Sequence, residues 1–211
     1  MKKAIVTGYS SGIGKAIVDK LEQNEYIVIK LQNRLENINE VEKEIKQILK
    51  TNDIDLLINC AGIGIFEPHE ELNIIQIKNL IDINLTAPII LSNLLLRSLK
   101  KTKGHIINIT SIEATKHSKF SALYTATKAG LRDFSLSLFE ELRKSGVKVT
   151  SINPDITQSN FFNNLKFTYS SKDETYLLPQ TIANTIWDIL NTNGVITDIT
   201  IRPQKFEIQK K

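Results

Sequence analysis

Short apolar runs alternate with longer amphipathic stretches from one end of the chain to the other. The runs are rich in β-branched residues and almost continuously apolar, which is typical of parallel strands that are covered on both faces. They predict strands at 4–7, 27–31, 56–59, 106–109, 147–152 and 199–202. The stretches between them predict helices at about 13–23, 39–50, 71–83, 86–101, 124–144 and 179–192. This alternation indicates an α/β fold in which helices flank both faces of a parallel sheet.

The segment 31–55 is short for a crossover that contains both a strand and a helix. We therefore expect the sheet to be trimmed at this edge, with a very short strand near 35–38 and one helix fewer than in a full doubly wound sheet. No linker rich in proline, serine or glycine and no internal repeat interrupts the chain. The length of 211 residues suits a single domain, 1–211.

The chain has 27 basic and 23 acidic residues, which give a formal net charge of +4. These charges are interspersed, and the absence of an arginine-rich tract favours a mildly basic surface over a nucleic-acid interface. The single cysteine, Cys60, excludes an intramolecular disulfide and cannot supply a structural zinc site, so we expect no metal and a reducing, cytoplasmic environment. No run approaches the ~18 consecutive apolar residues that a membrane span requires, so no membrane association is expected.

A glycine-rich segment, TGYSSGIG at 7–14, directly follows the first predicted strand and opens the first predicted helix. Glycines let the backbone turn sharply and approach a pyrophosphate, and a helix N-terminus offers unpaired N–H groups to its charge. Glycines also serve ordinary strand-to-helix corners, but the flanking strand and helix favour a dinucleotide site. Its predicted contacts are Gly8, Ser10, Ser11, Gly12, Ile13 and Gly14.

The end of the second predicted strand carries the residues KLQNR at 30–34, and no acidic residue occurs before Glu36. An enzyme that uses NAD commonly places a carboxylate here for the ribose 2′-OH, whereas one that uses NADP places a basic side chain near the 2′-phosphate. The sequence therefore favours NADP(H) over NAD(H), with Arg34 as the contact. The alternative is that Lys30 and Arg34 only solvate a loop at the edge of the sheet.

Tyr124 and Lys128 stand four residues apart, which on a helix places both side chains on one face, about one turn or ~6 Å apart. An ammonium at that distance favours phenolate over phenol and is expected to lower the pKa of Tyr124 toward neutrality. Tyr124 is therefore a candidate general acid or base. Ser111, at the end of a predicted strand, can hydrogen-bond the oxygen that gains or loses the proton. The alternative is a half-buried ring beside a solvated charge.

With these residues in view, the chain resembles the short-chain dehydrogenase/reductase family over nearly its whole length. The segment 7–14 matches the family's TGxxxGIG loop, and NCAG at 59–62 resembles its NNAG motif with cysteine at the second place. The family's catalytic positions are matched by Asn84, Ser111, Tyr124 and Lys128. The resemblance implies a Rossmann-like domain that binds NAD(P), with further cofactor contacts from Asn59, Ala61, Gly62, Tyr124 and Lys128.

The resemblance also implies a role for each catalytic residue. Tyr124 would protonate the carbonyl oxygen during reduction, and Ser111 would hold that oxygen. Lys128 would lower the pKa of Tyr124 and hydrogen-bond the nicotinamide ribose, and Asn84 would anchor a water that links Lys128 to solvent. As structural alternatives, Asn84 could satisfy a backbone group at a helix bend and Ser111 could cap a strand end.

One departure from the family pattern lies in NPDIT at 153–157, where Asp155 replaces the glycine of the family's PG segment. This segment flanks the nicotinamide carboxamide in the family, so its implied contacts here are Pro154, Ile156 and Thr157. An aspartate brings charge and bulk to this position, which puts the carboxamide pocket in doubt but not the hydride chemistry.

The segment 158–176 occupies the place of the loop that covers the substrate in this family. It is rich in large apolar side chains: Phe161, Phe162, Leu165, Phe167 and Tyr169. They suit either a lid over an apolar ligand or packing on the core or a neighbouring subunit. By position, the expected pocket neighbours are Ile65, Phe66, Glu113, His117 and Phe120.

These observations predict an NADP(H)-dependent oxidoreductase that interconverts a small or medium carbonyl compound and its alcohol. The alternative is a non-enzymatic NAD(P)-binding sensor or partner-binding protein on the same fold. The predicted helices 86–101 and 124–144 have apolar faces wide enough for both core and partner, so a homodimer or homotetramer is expected. Alternatively, the additional apolar positions only reach into the core of the monomer.

Overall fold

The computed structural model describes all 211 residues, which build a six-stranded parallel sheet in the order β2-β1-β3-β4-β5-β7. The strands are β1 (Lys3–Val6), β2 (Ile27–Ile29), β3 (Leu56–Asn59), β4 (His105–Ile109), β5 (Lys148–Pro154), β6 (Phe167–Tyr169), β7 (Asp198–Ile201) and β8 (Ile208–Lys210). The helices are α1 (Gly12–Gln23), α2 (Ile38–Ile48), α3 (Ile74–Ile81), α4 (Ala87–Thr102), α5 (Ala122–Leu142) and α6 (Pro179–Asn191). The predicted parallel α/β sheet is confirmed.

The sheet is covered on both faces because successive side chains of a strand point in opposite directions. On β1, Ala4 and Val6 pack in one buried cluster with residues of α1 and α6, whereas Ile5 packs in a second cluster with residues of α2, α4 and α5. The same division holds on β3, where Leu56 and Ile58 join the first cluster. The apolar runs of the sequence are continuous because each strand supplies both clusters.

The sheet is trimmed at the β2 edge, as expected, but the predicted strand near 35–38 is wrong. Ile38 instead begins α2, and the preceding loop is held by the carboxylate of Glu44 on that helix. Glu44 accepts from the backbone N–H groups of Gln32 and Asn33 at 2.7 and 3.1 Å. These groups are therefore satisfied by a side chain, and the chain returns directly to β3.

The two predicted helices at 71–83 and 86–101 form one continuous helix, because a π-helical turn at Asp82–Thr86 joins α3 to α4. This helix, Ile74–Thr102, is long and apolar enough to cross a membrane by length and composition alone. A core helix has the same properties, and Leu91, Leu95 and Leu99 are fully buried in the second cluster. We therefore interpret it as a core helix.

A separate antiparallel pair, β6 with β8, was not predicted from the sequence. Phe167 on β6 lies opposite Lys210 on β8, and Tyr169 lies opposite Ile208. The end of the chain thereby returns to the segment 158–176 that was expected to cover the substrate. An ion pair between Glu174 and Lys205 at 2.7 Å supports the same return.

Candidate active site

A cleft of about 1460 Å³ runs along the carboxyl ends of the parallel strands. One end is lined by the glycine-rich segment, the loop after β2 and the residues after β3. The other end is lined by the residues after β4, the segment 158–176 and the end of the chain. We call these two ends the cofactor half and the substrate half. Ligands of open parallel sheets bind at this position.

The glycine-rich segment forms the floor of the cofactor half, and two of its glycines are required by close approach. Gly8 has φ +68°, and a Cβ added there would lie 2.9 Å from the backbone of Ala61. A Cβ on Gly14 would lie 2.0 Å from the carbonyl oxygen of Gly8. Bare backbone is therefore needed where the N-terminus of α1 faces the cleft, which fits the pyrophosphate of a dinucleotide. All six predicted contacts, Gly8, Ser10, Ser11, Gly12, Ile13 and Gly14, line the cleft.

Thr7 joins this segment to the residues after β3, a role that the sequence analysis missed. Its hydroxyl oxygen accepts from the backbone N–H groups of Cys60 and Ala61, both at 3.0 Å. Ala61 and Gly62, which were predicted to contact the cofactor, line the cleft. Asn59 does not, because its side chain lies inside the sheet and donates to the side-chain oxygen Oδ1 of Asn108 at 2.8 Å. The prediction of Asn59 as a direct cofactor contact is therefore not supported by its position.

The loop after β2 closes the far end of the cofactor half. Arg34 is exposed and lines the cleft, and none of its nitrogens lies within 4.0 Å of a carboxylate. Lys30, by contrast, pairs with Glu22 at 3.2 Å and does not line the cleft. Glu36 lies in the same wall as Arg34. The two basic residues of this strand end therefore differ, and only Arg34 faces the cofactor half.

The predicted catalytic side chains Ser111, Tyr124 and Lys128 meet where the two halves join. Ser111 follows β4, and its hydroxyl accepts from the Glu113 N–H at 3.2 Å, so it caps the 3-10 turn after the strand and not the strand end itself. Tyr124 and Lys128 lie one turn apart on α5 and are 6% and 4% exposed. The Lys128 amino group donates to the Ile109 carbonyl at 3.0 Å and lies 5.9 Å from the centre of the Tyr124 ring.

Asn84 supports this centre from behind and does not itself line the cleft. It lies in the π-helical turn, fully buried, where its side chain accepts from the Ile63 N–H and donates to the Ile63 carbonyl, both at 2.9 Å. The helix-bend alternative is thus observed. Asn84 also adjoins Lys128, because a Cβ on Gly62 would lie 3.3 Å from the Asn84 oxygen and 3.2 Å from the Lys128 nitrogen. Its role as anchor of a water stays a prediction.

Burial is the largest influence on the pKa values of Tyr124 and Lys128. It raises the pKa of the Tyr124 phenol above its ordinary value; the Ser111 hydroxyl lowers the pKa in part, and the Glu113 carboxylate raises it further. Burial also lowers the pKa of Lys128 to about 8, against which the neighbouring Cys60 acts weakly. The expectation that Lys128 lowers the pKa of Tyr124 is therefore not met. The reason is that the ammonium is directed at the Ile109 carbonyl and the phenol is removed from water.

The buried charge of Asp155, which replaces the family's glycine, is fully compensated by hydrogen bonds and an ion pair. Its side chain is 2% exposed and accepts from its neighbour Ile156 N–H at 2.9 Å and from Arg202 Nε at 2.9 Å. The charge is thus paired with the segment that leads to the end of the chain. Pro154, Ile156 and Thr157, the predicted carboxamide contacts, all line the cleft beside it.

The substrate half is walled by aromatic rings that include the Tyr124 ring itself. The centre of the Phe66 ring lies 5.0 Å from that of Tyr124 and 5.2 Å from that of Phe167. The Phe161 ring lies 6.0 Å from that of Tyr124, and Phe162, which packs against Phe161, lines the cleft as well. Tyr169 packs on Phe162 and does not line the cleft. The segment 158–176 therefore does both of the things considered for it, since some rings line the cleft and others pack down.

The expected pocket neighbours divide in the same way. Phe66, Glu113 and Phe120 line the cleft, whereas Ile65 and His117 do not. Glu113 is buried and accepts from the Ser118 and Ser121 hydroxyls at 2.8 and 3.0 Å. It therefore holds the turn after β4 in place.

Comparison with known proteins identifies the chain. The model of the short chain dehydrogenase family matches residues 2–51 and 46–169. The chain belongs to the short-chain dehydrogenase family. Similar proteins include an oxidoreductase of Staphylococcus aureus, 32% identical over 228 residues that cover 96% of this chain and 97% of that one. An oxidoreductase of Staphylococcus epidermidis is 29% identical over 225 residues, with the same coverage of both chains.

Solved structures agree with this assignment. A 4-hydroxyisoleucine dehydrogenase complexed with NADH is 26% identical, covers 96% of this chain and 98% of its own, and has a TM-score of 0.84. An alcohol dehydrogenase from the archaeon Thermococcus sibiricus, complexed with 5-hydroxy-NADP, has a TM-score of 0.87 at 23% identity and covers 98% of this chain and 99% of its own. The predictions of a Rossmann-like fold and of an oxidoreductase that uses NAD(P) are confirmed. The non-enzymatic alternative is not supported.

Some residues that line the cleft of this short-chain dehydrogenase were not predicted from its sequence. Phe206, Ile208 and Lys210, close to the end of the chain, line the substrate half through the β6–β8 pair. The alternation of apolar Ile208 with polar neighbours is a weak strand signal, and three residues are too few for it to be recognised. Thr7 carried a clearer signal, since a hydroxyl at the end of a strand is placed to bond the next strand's loop.

Proposed function

We propose that this short-chain dehydrogenase interconverts a small or medium carbonyl compound and its alcohol with NADP(H), and that Tyr124 is its general acid and base. The observation that carries the proposal is the meeting of Ser111, Tyr124 and Lys128 between a backbone cradle for a dinucleotide and an aromatic pocket. A carbonyl bound among the rings of the substrate half would have its oxygen near these groups.

The bound nicotinamide supplies a hydride for carbonyl reduction or accepts one from an alcohol. The chain's own residues handle the oxygen and its proton. In reduction, the Tyr124 phenol gives its proton to the carbonyl oxygen, and the Ser111 hydroxyl donates a hydrogen bond to the same oxygen. The raised pKa of Tyr124 keeps the phenol protonated at neutral pH, as this direction requires. In oxidation of the alcohol, the proton passes from the substrate oxygen to the Tyr124 phenolate, so this direction first requires loss of the phenol proton.

Lys128 supports this chemistry from a position in which its own charge is costly. Its buried amino group contacts the Ile109 carbonyl and adjoins Asn84 near Gly62, so it can relay a proton toward Tyr124 when the phenol has given its own. A pKa of about 8 allows Lys128 to lose and regain a proton near neutral pH.

The preference for NADP(H) rests on Arg34, which faces the cofactor half without an acidic partner. A guanidinium at this position suits the ribose 2′-phosphate of NADP. The 4-hydroxyisoleucine dehydrogenase is complexed with NADH, so likeness to it does not decide the preference.

A homodimer or homotetramer formed through α4 and α5 is part of the same proposal. These helices carry half-buried apolar side chains at Leu94, Phe134 and Phe139, which pack against the second core cluster at their inner edges. Such partly covered positions can serve core and partner at once.

The Tyr124→Phe variant tests the proposal most directly. Removing the hydroxyl deletes the proton donor but keeps the ring in its aromatic wall, so carbonyl reduction should fall by about 100-fold or more. The dissociation constant of NADPH, measured by calorimetry, should change less than about twofold, since the phenol is one contact among many. Phe66→Leu is the matched control, because it alters the aromatic wall beside Tyr124 but leaves the phenolic hydroxyl in place. Unchanged turnover in Tyr124→Phe would remove Tyr124 from the mechanism.

A further inference from the structure

The rim of the substrate half carries an excess of positive charge over aromatic walls. Five lysines line it, and two glutamates do so: Lys116, Lys119, Lys166, Lys210, Lys211, Glu67 and Glu113. Such a set could be an ordinary solvated surface if every ammonium had a partner. The pairing of each lysine therefore decides what the rim can bind.

Three of the lysines are engaged. Lys116 pairs with Glu113 at 3.3 Å, and Lys166 pairs with Glu67 at 2.7 Å. The amino group of Lys211 donates to two main-chain carbonyls of the segment 158–176. Both glutamates are thereby neutralised, and these three ammonium groups have local partners.

Lys119 and Lys210 are the two that remain. Neither ammonium lies within 4.0 Å of a carboxylate, and both residues are exposed. The Lys119 ammonium lies 4.8 Å from the centre of the Phe120 ring, a cation–π contact that leaves its hydrogen-bond donors open. The net charge of the rim is therefore positive, and it is concentrated on these two side chains.

The β6–β8 pair directs Lys210 toward the cleft. Side chains alternate along a strand, and Ile208 and Lys210 line the cleft whereas Gln209 between them does not. Phe167, which lies opposite Lys210, lines the cleft as well. An apolar wall and a free cation are thus presented side by side by the same small sheet.

We propose that the substrate of this site is a carbonyl compound with a flat apolar body and a carboxylate, which Lys119 and Lys210 bind at the rim. This inference rests on the proposed function and names its substrate class. The rings of Phe66, Phe161 and Phe167 contact the apolar body by stacking and edge contacts. The carboxylate takes charge-assisted hydrogen bonds from the two ammonium groups, and the carbonyl lies at Tyr124.

The test compares 4-formylbenzoate with its neutral methyl ester, which keeps the ring and the aldehyde but lacks the charge. Dissociation constants are measured by calorimetry on the full chain, with and without NADP⁺, so that no reduction occurs and the comparison does not depend on the cofactor. The acid should bind about tenfold more tightly than the ester, since each exposed ion pair contributes up to about fivefold. This preference should shrink as ionic strength rises.

Single substitutions test whether Lys119 and Lys210 cause the preference for the acid over the ester. Lys119→Gln and Lys210→Gln should each weaken the acid about threefold and the ester by less than 1.5-fold, roughly the range of an exposed charge pair. Lys210→Arg should retain the preference because it keeps the charge. Lys100→Gln makes the same charge change at an exposed position on α4, outside the cleft, and should leave both ligands unchanged.

The outcomes separate this inference from the proposed function. Equal affinity for acid and ester, no binding of the acid, or equal losses for both ligands in Lys119→Gln and Lys210→Gln would overturn the carboxylate site. Reduction of the two aldehydes by NADPH is measured separately. Binding of the acid without turnover of either aldehyde would count against the proposed carbonyl chemistry and leave the rim as a carboxylate site.

Discussion

The two halves of the cleft are formed by different kinds of chemical groups. The cofactor half consists of backbone and small side chains at the ends of neighbouring parallel strands, where Gly8 and Gly14 leave no room for a Cβ. The substrate half consists of large side chains from four distant parts of the chain, including Phe66, Phe161 and Ile208. In the first half the residue type follows from geometry. In the second, many apolar residues could fill the same space.

This difference shows that cofactor binding depends on one short sequence segment, whereas substrate binding depends on residues dispersed along the chain. A dinucleotide cradle needs particular residues at fixed spacing, because backbone atoms themselves approach the ligand. A substrate pocket needs only shape, apolar area and a few charges, and these can be supplied from any element that reaches it. The comparison predicts that substitutions in the cofactor half act through backbone collision, whereas those in the substrate half act through graded loss of contact.

The largest effect is expected for Gly14→Ala in the cofactor half. The added Cβ would lie 2.0 Å from the Gly8 carbonyl oxygen, so the cradle must distort. NADPH affinity should fall by about 100-fold or more, because each hydrogen bond from a backbone N–H group to a charged pyrophosphate contributes about 1.5–3 kcal/mol and the distortion removes more than one of them. The measurement is calorimetric titration of NADPH, with circular dichroism to verify the fold.

Gly130→Ala is the matched control for that substitution. Its Cβ would lie 3.5 Å from the Leu85 side chain, an ordinary contact, on a helix that favours alanine. Its NADPH affinity should match the wild type. Normal binding in Gly14→Ala would show that the cradle tolerates a side chain and would break the contrast between the two halves.

How much could be predicted from the sequence also differs between the two halves of the cleft. The glycine-rich segment, Ser111, Tyr124 and Lys128 were all predicted in the cleft, because their spacing and their places at strand ends fix where they lie. Asn59 was predicted as a contact but lies inside the sheet, since a motif does not state which way a side chain points.

The failures have physical causes as well. The strand predicted near 35–38 competes with α2, whose Glu44 satisfies the loop's N–H groups, and propensity could not weigh that long-range contact. The β6–β8 pair joins three-residue strands about 40 residues apart, and only tertiary contact specifies such a pairing. The pKa of Tyr124 is raised, although it was expected to be lowered, because burial dominates and the Lys128 ammonium is directed at the Ile109 carbonyl.

The second largest effect is expected when residues 207–211 are removed from the substrate half. This truncation deletes β8, and with it Ile208 and Lys210 from the wall of the cleft. The KM for a carbonyl substrate should rise about tenfold, as expected for the loss of one apolar contact and of the ion pair proposed for Lys210.

Cofactor affinity is the internal control for the truncated chain. NADPH binds at the other half, so its dissociation constant should change less than about twofold if the sites are independent. A parallel loss of NADPH affinity would mean that the two halves do not act separately. The Ile208→Ser variant, which keeps the chain length, should show a smaller rise in KM in the same direction.

A smaller effect is expected for Arg34→Ala, which tests charge at the outer end of the cofactor half. NADPH should bind about fivefold more weakly, since Arg34 is exposed and a solvent-accessible pair contributes up to about 1 kcal/mol. NADH lacks the 2′-phosphate and should be unaffected. Lys30→Ala, whose ammonium pairs with Glu22, is the control and should alter neither affinity. Equal losses for both dinucleotides would contradict the NADP(H) preference.

The smallest effect concerns Lys128, where the two halves meet, and appears as stability against pH. Burial lowers the pKa of Lys128 to about 8 in the folded protein from its ordinary value of 10.5. Above pH 8 the folded state has lost this proton while the unfolded state keeps it, so the free energy of unfolding rises with pH. From pH 8 to 9 the gain should be about 1 kcal/mol, within the limit of 1.36 kcal/mol for one group over one pH unit.

Comparison with a variant that lacks the lysine separates Lys128 from the other groups whose pKa burial shifts. Cys60 has an ordinary pKa of 9.0, which burial raises to about 12, and Tyr124 has an ordinary value of 10.0 that burial also raises. Cys60 therefore begins to lower the free energy of unfolding as pH approaches 9, in wild type and variant alike, whereas Tyr124 does so only at higher pH. Urea unfolding of wild type and Lys128→Met at pH 8.0, 8.5 and 9.0 therefore isolates the lysine. The wild type should gain stability relative to the variant across this range, and parallel curves would mean that Lys128 keeps its proton throughout.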